Sequence, residues 1–547
     1  MGREDSHSDS TVPGAYSPQP NPQPAEPIRG RASVPQPGSA HPGQAQPAPV
    51  PPLPPPLASP AATPPPVAPP SPRRRPWMWP LVAVLSVLAL VIAGLVVVRS
   101  GGWWGSGADR ATLTFAHPEP SPSPVLDGVA EDAPMPDPAA IRTVLDKVIT
   151  ESVVSGARVS VRDLATGQPL YERDPNVPTV PASTTKLLTA AAVLATRGPA
   201  YRIPTRVVAG AQPGEVVLVG GGDPTLAVDD SGTYPGAARL DTLAEQVKQA
   251  LGGVSPTRVV VDSSLFSGPV YGPGWDSDVP TGGFVGPITA LMTDGGRIYP
   301  TKIRAAERYA QPDLAAGRAF ARLLGVAPNA VSRGSAPAPA AEAAPSSAAP
   351  SPEGASLAPG TELGRVESPP MVRLVEIMLS ESDNVVAEAL GRQVALARNQ
   401  PASFDGAAAA MTAVLAELGV PVDTIHLADA SGLSRRNRIA PSVLTSLLVR
   451  AADGSRPELG ALFSGLPVAA WSGTLADRFR QAAAGVGVVR AKTGTLSGVN
   501  ALSGVVATAD GRLLAFAALA EDVSAGPDPA QRALDRIAAT LAACGCR

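Results

Sequence analysis

Hydrophobic positions fall into three regimes along this chain, and each predicts a different kind of structure. Residues 1–76 offer no apolar run able to bury a core and are rich in Pro, Ala, Ser and Gln, which predicts a disordered, polyproline-like tail. Next comes Leu81 to Val98, eighteen residues without a charge. At about 1.5 Å per residue this covers roughly 27 Å of hydrocarbon, so a transmembrane helix is expected over residues 77–100. Arg73, Arg74 and Arg75 on its N-terminal side predict a cytoplasmic N-terminus and place the remaining chain outside the membrane. Trp77, Trp79, Trp103 and Trp104 sit where interfacial aromatics belong. A cleaved signal peptide is the competing reading, but the leader and the apolar core are both too long for one. Residues 101–137, with the stretch His117-Pro118-Glu119-Pro120-Ser121-Pro122, read as a linker.

From Pro138 the pattern becomes that of a globular domain. Ile141, Val144, Leu145 and Val148 keep helical spacing, and Ala157–Asp163 and Pro169–Glu172 alternate about Thr166-Gly167 as a hairpin does. Pro181-Ala182-Ser183 then leads into Lys186–Leu194, an Ala- and Leu-rich run with high helix propensity, so Ser183 is expected at a helix N-terminus. Strands are expected at Val216–Val219 and Arg258–Val261, with a helix at Leu240–Leu251 between them. Gly334–Gly360 falls to Ala, Pro, Ser and Gly and reads as a flexible surface loop. Helices at Met371–Ser380 and Asn384–Leu396 leave Ser382-Asp383-Asn384 at their junction. Strands at Gly487–Thr495, Val499–Ala507 and Leu513–Ala520 follow, with Asp510-Gly511 as a hairpin turn. An amphipathic helix, Ala530–Ala543, closes the chain with Leu534, Ile537, Ala538 and Leu541 facing inward. These elements predict an α/β fold, an antiparallel sheet flanked by helices.

Composition narrows the function classes. The net charge of −3 and the dispersed basic residues exclude a nucleic-acid binder. Cys544 and Cys546 are the only cysteines and lie one residue apart, so no disulfide framework supports the fold. Three of the four histidines precede residue 118, which leaves His426 alone in the domain and disfavours a Ser-His-Asp hydrolase. No cluster with metal-ligand spacing is visible, and no cofactor or metal is expected.

Lysine changes the picture most. Of five lysines in 547 residues, two sit in short polar signatures, Ser183-Thr184-Thr185-Lys186 and Lys492-Thr493-Gly494, with Ser382-Asp383-Asn384 between them. S-x-x-K, S-D-N and K-T-G, in that order, are the signatures of penicillin-binding proteins and class A β-lactamases. A serine hydroxyl needs a base to become a nucleophile, and a lysine three residues on stands one helical turn away. To serve as base Lys186 must be neutral, which requires its pKa to fall from about 10.4 toward about 7. Burial with a second cation nearby, Lys492, is the expected cause. S-x-x-K alone also describes an ordinary helix cap, S-D-N a cap at Ser382 or Asp383, and K-T-G a strand end; the ordered trio carries the argument. In that reading Lys492 and the hydroxyls of Thr493 and Thr495 bind a substrate carboxylate, and Gly494 leaves room for the substrate backbone. The backbone N–H groups of Ser183 and Thr495 form an oxyanion hole, Ser382 relays a proton to the leaving amine, and Asn384 holds the substrate amide.

The sequence from about residue 138 to 545 resembles the low-molecular-mass class C penicillin-binding proteins, the D-alanyl-D-alanine carboxypeptidase/endopeptidases of the penicillin-binding protein 4 type. Gly220-Gly221-Gly222-Asp223-Pro224, Val261-Asp262-Ser263-Ser264, Asp429-Ala430-Ser431-Gly432-Leu433-Ser434 and Ser472-Gly473-Thr474-Leu475 look like further signatures of that family. The 199 residues from Ser183 to Ser382 favour it over the compact β-lactamases. The resemblance implies a serine penicillin-binding-protein (β-lactamase/transpeptidase-like) domain over 138–200 and 366–547, interrupted by inserted subdomains at 201–365. It also implies an acyl-enzyme on Ser183, a peptidoglycan stem peptide ending in D-Ala-D-Ala as substrate, and β-lactam antibiotics as covalent inhibitors. A membrane-anchored β-lactamase is an alternative, disfavoured because no Glu-x-x-Leu-Asn deacylation segment is present. A non-catalytic cell-wall scaffold is another, against which the intact Ser183, Lys186, Ser382, Asn384 and Lys492 argue. Cytoplasmic partners of the Pro-rich tail are compatible with either.

Overall fold

The structure, a computed structural model, describes residues 133–338, 357–545. The expected tail, the expected membrane helix, most of the linker and the centre of the Gly334–Gly360 stretch lie outside the described residues. No helix among the described residues is long and apolar enough to cross a membrane.

The chain begins with helix α1 (Pro138–Thr150), capped by the Asp137 carboxylate, which accepts from Ala139 N at 2.8 Å. Its buried stripe is Ile141, Leu145 and Ile149, while Val144 is exposed, so the apolar face is rotated from the one the sequence suggests. The hairpin β1 (Arg158–Asp163) and β2 (Pro169–Arg173) follows, then helix α2 (Thr185–Arg197). All ten residues from Thr185 to Leu194 are buried, so α2 is the central helix of the molecule, surrounded on every side.

Between residues 204 and 367 the chain builds a second sheet that the sequence disclosed only in part. Strands β3 (Pro204–Ala209) and β4 (Glu215–Val219), helix α3 (Leu240–Ala250), strand β5 (Arg258–Asp262), helix α4 (Pro312–Leu323), strand β6 (Val331–Arg333) and strand β7 (Glu362–Glu367) give the order β6-β5-β4-β3-β7. The β4–β5 and β5–β6 pairs are parallel, with α3 and α4 as the connecting helices. Val207, Val216, Leu218, Val259 and Val261 of this sheet share a core with Leu243 and Phe320 of the helices.

Helices α5 (Met371–Ser380), α6 (Asn384–Ala397), α7 (Phe404–Glu417) and α8 (Pro441–Ala452) then wrap α2 in one apolar core that includes Leu187, Leu194, Leu374, Leu390, Met411 and Leu444. The last elements are strands β8 (Val489–Leu496), β9 (Val499–Ala507) and β10 (Leu513–Ala520) and helix α9 (Pro527–Ala542). The first sheet therefore runs β2-β1-β10-β9-β8, antiparallel throughout, joining strands that lie more than 300 residues apart in sequence. Helices α1 and α9 cover one face through Leu145, Leu534, Ile537 and Leu541, and the α2 bundle covers the other.

Two features of this frame position the functional residues. Strand β8 is an edge strand, and its first half is covered: Ala469 N donates to Val489 O at 2.9 Å and Ala491 N donates to Pro467 O at 3.0 Å. Alternation along the strand turns the N–H groups of Thr493 and Thr495 to the same uncovered side. The second feature is a buried ion pair between the chain's two sheeted parts. Arg297 Nη2 donates to Asp383 Oδ2 at 2.9 Å, with side-chain exposures of only 2% and 4%. Burial alone raises a carboxyl, but the Arg297 and Arg308 guanidiniums overcome it and hold Asp383 well below the usual carboxylate range. A depressed folded-state pKa contributes stability that is present above the unfolded value and lost as pH falls through the folded one. Arg297→Gln strands the Asp383 charge, so it is expected to cost about 3–5 kcal/mol at neutral pH. Denaturant unfolding from pH 3 to 8 checks this: the deficit shrinks in acid if Asp383 carries it, and stays constant if it does not.

Candidate active site

Ser183 lies in a 3-10 turn, Ala182–Thr184, immediately before α2, rather than in the first turn of the helix itself. Ala182 carries a φ of +46°, a left-handed conformation costly for a residue with a Cβ, so the packing around it must hold the turn in place. Two neighbours do so. Gly432 has φ +84°, and a Cβ there meets Ala182 O at 1.8 Å; at Gly494 a Cβ meets Pro181 O at 2.8 Å. The missing side chain at Gly494 thus lets β8 close against the serine turn, whereas the sequence suggested that it makes room for the substrate.

Lys186 is completely buried in the first turn of α2, three residues after Ser183. Its Nζ lies 3.0 Å from Ser183 Oγ, 2.6 Å from Asn384 Oδ1 and 2.7 Å from Ser431 O. Asn384 Oδ1 and Ser431 O can only accept. A neutral amine has two N–H groups and one lone pair, so with both hydrogens committed to those oxygens the lone pair faces the Ser183 hydroxyl. Burial pushes the Lys186 ammonium down to about 8, against the opposing pull of Asp429, Glu388 and Asp383.

The S-D-N turn faces this pair. Ser382 has φ +57° and is held there by Asp383, whose Oδ1 caps α6 by accepting from Val385 N at 2.9 Å and Val386 N at 3.1 Å. Asp383 Oδ2 also accepts from Tyr234 Oη at 2.8 Å, in addition to Arg297. Asn384 is fixed from both ends: Oδ1 by Lys186, and Nδ2 by donating to Phe284 O at 3.0 Å.

Lys492 is also fully buried and donates to Ser382 Oγ at 2.9 Å and to Thr493 O at 2.9 Å. Burial, and then the charge of Lys186, push it well below the ordinary lysine range. Burial is among the expected causes for Lys186 and is the largest one there, and both buried amines are pushed down by it. Thr493 Oγ1 is shared with Thr474 Oγ1 at 2.9 Å. Ser183, Ser382, Asn384, Thr474, Thr493 and Thr495 line one cleft of about 600 Å³. The structure therefore brings all eight sequence-derived residues into one place, with Lys186, Lys492 and Gly494 behind its wall.

Sequence reasoning missed the residues that hold these groups. Ser431 and Thr474 sit in two of the lesser signatures, which is the signal by which they were findable. Glu388 had none: fully buried, it accepts from Ser431 N at 2.9 Å and Ala430 N at 3.2 Å, fixing the carbonyl that receives Lys186, and burial raises its carboxyl to about 7. Tyr234, Phe284 and Arg297 come from the 204–367 region and match no motif. Because Lys186 accepts a proton only when neutral, acylation by a penicillin is expected to rise about tenfold per pH unit and to level off near pH 8. Second-order acylation rates from pH 5 to 10 test this, and a flat profile contradicts it.

Comparison with known proteins identifies the family. The family model described as the D-Ala-D-Ala carboxypeptidase 3 (S13) family matches residues 141–339, 352–541. A carboxypeptidase of Mycobacterium tuberculosis is 41% identical over 80% of this chain and 92% of its own length. The carboxypeptidase DacB of Mycolicibacterium smegmatis is 39% identical over 86% of this chain and 99% of its own. A D-alanyl-D-alanine carboxypeptidase of Actinomadura is 32% identical over 71% and 81%. In fold, the chain is similar to the crystal structure of penicillin binding protein 4 (dacB) from Haemophilus influenzae, with a TM-score of 0.58 at 23% identity over 72% of this chain and 97% of that one. The chain belongs to the D-Ala-D-Ala carboxypeptidase 3 (S13) family and has the α/β fold of penicillin binding protein 4.

Proposed function

We propose that the protein is a penicillin-binding serine D-alanyl-D-alanine carboxypeptidase that trims peptidoglycan stem peptides through an acyl-enzyme on Ser183. The observation that carries this reading is the setting of Lys186, whose two hydrogen-bond acceptors leave its lone pair for the Ser183 hydroxyl. Lys186 takes the Oγ proton as Oγ attacks the carbonyl of the penultimate D-Ala, whose oxygen lies between the backbone N–H groups of Ser183 and Thr495. Collapse of the tetrahedral intermediate breaks the C–N bond. The proton reaches the leaving amine through Ser382, which shares its hydroxyl with Lys492. Terminal D-Ala departs, and water then hydrolyses the ester. Asn384, pinned by Lys186 and Phe284 O, offers its remaining N–H to the substrate amide.

The same chemistry on a cross-linked peptide is endopeptidase cleavage, and the uncovered edge of β8 suits an extended peptide laid alongside Thr493–Thr495 as an added strand. β-Lactams acylate the same serine. We further infer a peptidase domain over 138–200 and 366–547, with 201–365 inserted into it. The uncharged run Leu81–Val98 and the arginines before it support a single-pass anchor with a cytoplasmic N-terminus and an extracytoplasmic catalytic domain, where the substrate is found. The Pro-rich tail is then available to cytoplasmic partners.

Incubation with a pentapeptide ending in D-Ala-D-Ala is expected to release D-Ala stoichiometrically. Ser183→Ala is expected to abolish both that release and covalent labelling by a fluorescent penicillin, and Lys186→Ala to slow both by at least about a hundredfold. Labelling that persists in the Ser183 variant removes the nucleophile assignment.

A further inference from the structure

Lys492 poses a difficulty for carboxylate recognition. It is fully buried behind the cleft wall, its ammonium already donates to Ser382 Oγ and Thr493 O, and burial favours its neutral form. A substrate ending in a free carboxylate needs a cation that faces the cleft. Among the described residues, the cleft is lined by Arg297, Arg304, Arg308 and Arg478. Three of these are engaged elsewhere. Arg297 is paired with buried Asp383 at 2.9 Å, Arg478 grips Asp535 with contacts at 2.6 and 3.0 Å, and Arg308 is turned back onto Gly295 O.

Arg304 differs. Its side chain is 63% exposed, and its Nη2 meets Glu381 Oε2 and Gly473 O only at 3.4 Å each. An exposed pair of that length contributes little and exchanges easily for a better acceptor. A guanidinium has five donors, enough to keep Glu381 and take a second carboxylate in bidentate fashion. Its location also fits. The leaving amine must sit by Ser382 Oγ, and its own carboxylate carbon lies only about 2.5 Å from that nitrogen, across two covalent bonds. Glu381, next to Ser382 in the chain, and Gly473, next to Thr474, are the two residues that Arg304 spans.

The support beneath Arg304 is built. Residues 298–307 form a loop closed at its base by the Arg297↔Arg308 bridge and by Ile298 N donating to Glu307 O at 3.0 Å. Buried Arg297 reaches up to hold the tip, donating to Ile303 O at 3.1 Å. Gly283 allows the loop to lie close, since a Cβ there meets Ala306 O at 2.5 Å. The tip residue Arg304 is thereby held over the leaving-group side of Ser382.

We propose that Arg304 binds the free carboxylate of the leaving D-alanine and so sets the preference of the enzyme for an unblocked peptide C-terminus. This rests on the peptidase reading above. In it, the hydroxyls of Thr493 and Thr495 orient that carboxylate and Arg304 supplies the opposing charge.

The test compares full-length wild type, Arg304→Met and Arg304→Lys on two substrates, an N-acylated peptide ending in D-Ala-D-Ala and the same peptide with a C-terminal amide. Wild type is expected to prefer the free acid. Arg304→Met is expected to lose about 10- to 100-fold in kcat/KM on the acid, mostly through KM, with the amide changed by less than about threefold, and Arg304→Lys to retain part of the preference. A general loss of function lowers both substrates together, so the acid-to-amide ratio separates recognition from damage to the fold. An Arg304→Met enzyme with the wild-type ratio overturns the assignment and leaves the peptidase reading standing. Wild type that releases no D-Ala from the acid peptide overturns both.

Discussion

Everything at this site depends on keeping one amine dry. Removing an ammonium from water is costly, and the cost can be met by pairing it or by letting it lose its proton. Lys186 has no carboxylate within hydrogen-bonding distance; its partners are a hydroxyl, an amide oxygen and a peptide oxygen. That choice of neutral partners is what leaves the proton weakly held. The acids that do influence it, Asp429, Glu388 and Asp383, act from farther away and stop its pKa from falling further. The buried helix α2, the Gly432 loop and the S-D-N turn can all be understood as the enclosure that this single group requires.

The enclosure is assembled from parts distant in sequence. Ser431 O is aimed by Glu388, Asn384 by Phe284 O, and Ser382 by the cap that Asp383 makes while held by Arg297 and Tyr234. The positive φ at Ser382 is sustained only because those contacts over-determine it. The 204–367 region therefore does more than decorate the fold: three of its residues fix two of the motif side chains, and its Arg304 loop borders the cleft on the leaving-group side. The two lysines, both fully buried, differ in their hydrogen-bond partners. Lys186 is poised to accept a proton, and Lys492, hydrogen-bonded to Ser382, is placed to pass one on.

Much of this was legible in the sequence because local pattern and fold agree. The hairpin β1–β2, helices α2, α5 and α6, and the meander β8–β9–β10 all fall where their periodicity puts them, with Ser183 and Ser382-Asp383-Asn384 at helix starts and Lys492-Thr493-Gly494 within β8. What escaped was set by tertiary contact. Strands β3 and β7 pair with each other across some 150 residues, and neither alternates cleanly enough to be read alone. Helix α7 is so Ala-rich that its apolar stripe is indistinct. Arg297 and Tyr234 are ordinary residues in ordinary surroundings until the fold brings Asp383 between them, and no spacing rule links positions 86 and 149 residues apart. The complete burial of Lys492 was hidden for a similar reason: it follows from the edge of the sheet closing against Ser382, which one strand cannot reveal.

The central claim is that burial frees the Lys186 lone pair for Ser183, and with only five lysines in the chain it can be measured at the group itself. Side-chain nitrogen resonances of the lysine-labelled protein, followed over pH and assigned by single substitution, report each titration separately. The account predicts that the resonance missing in Lys186→Ala titrates near 8, and that the one missing in Lys492→Ala titrates well below the usual lysine range. Titration of the Lys186 resonance at about 10.4, the value of a lysine in water, contradicts it.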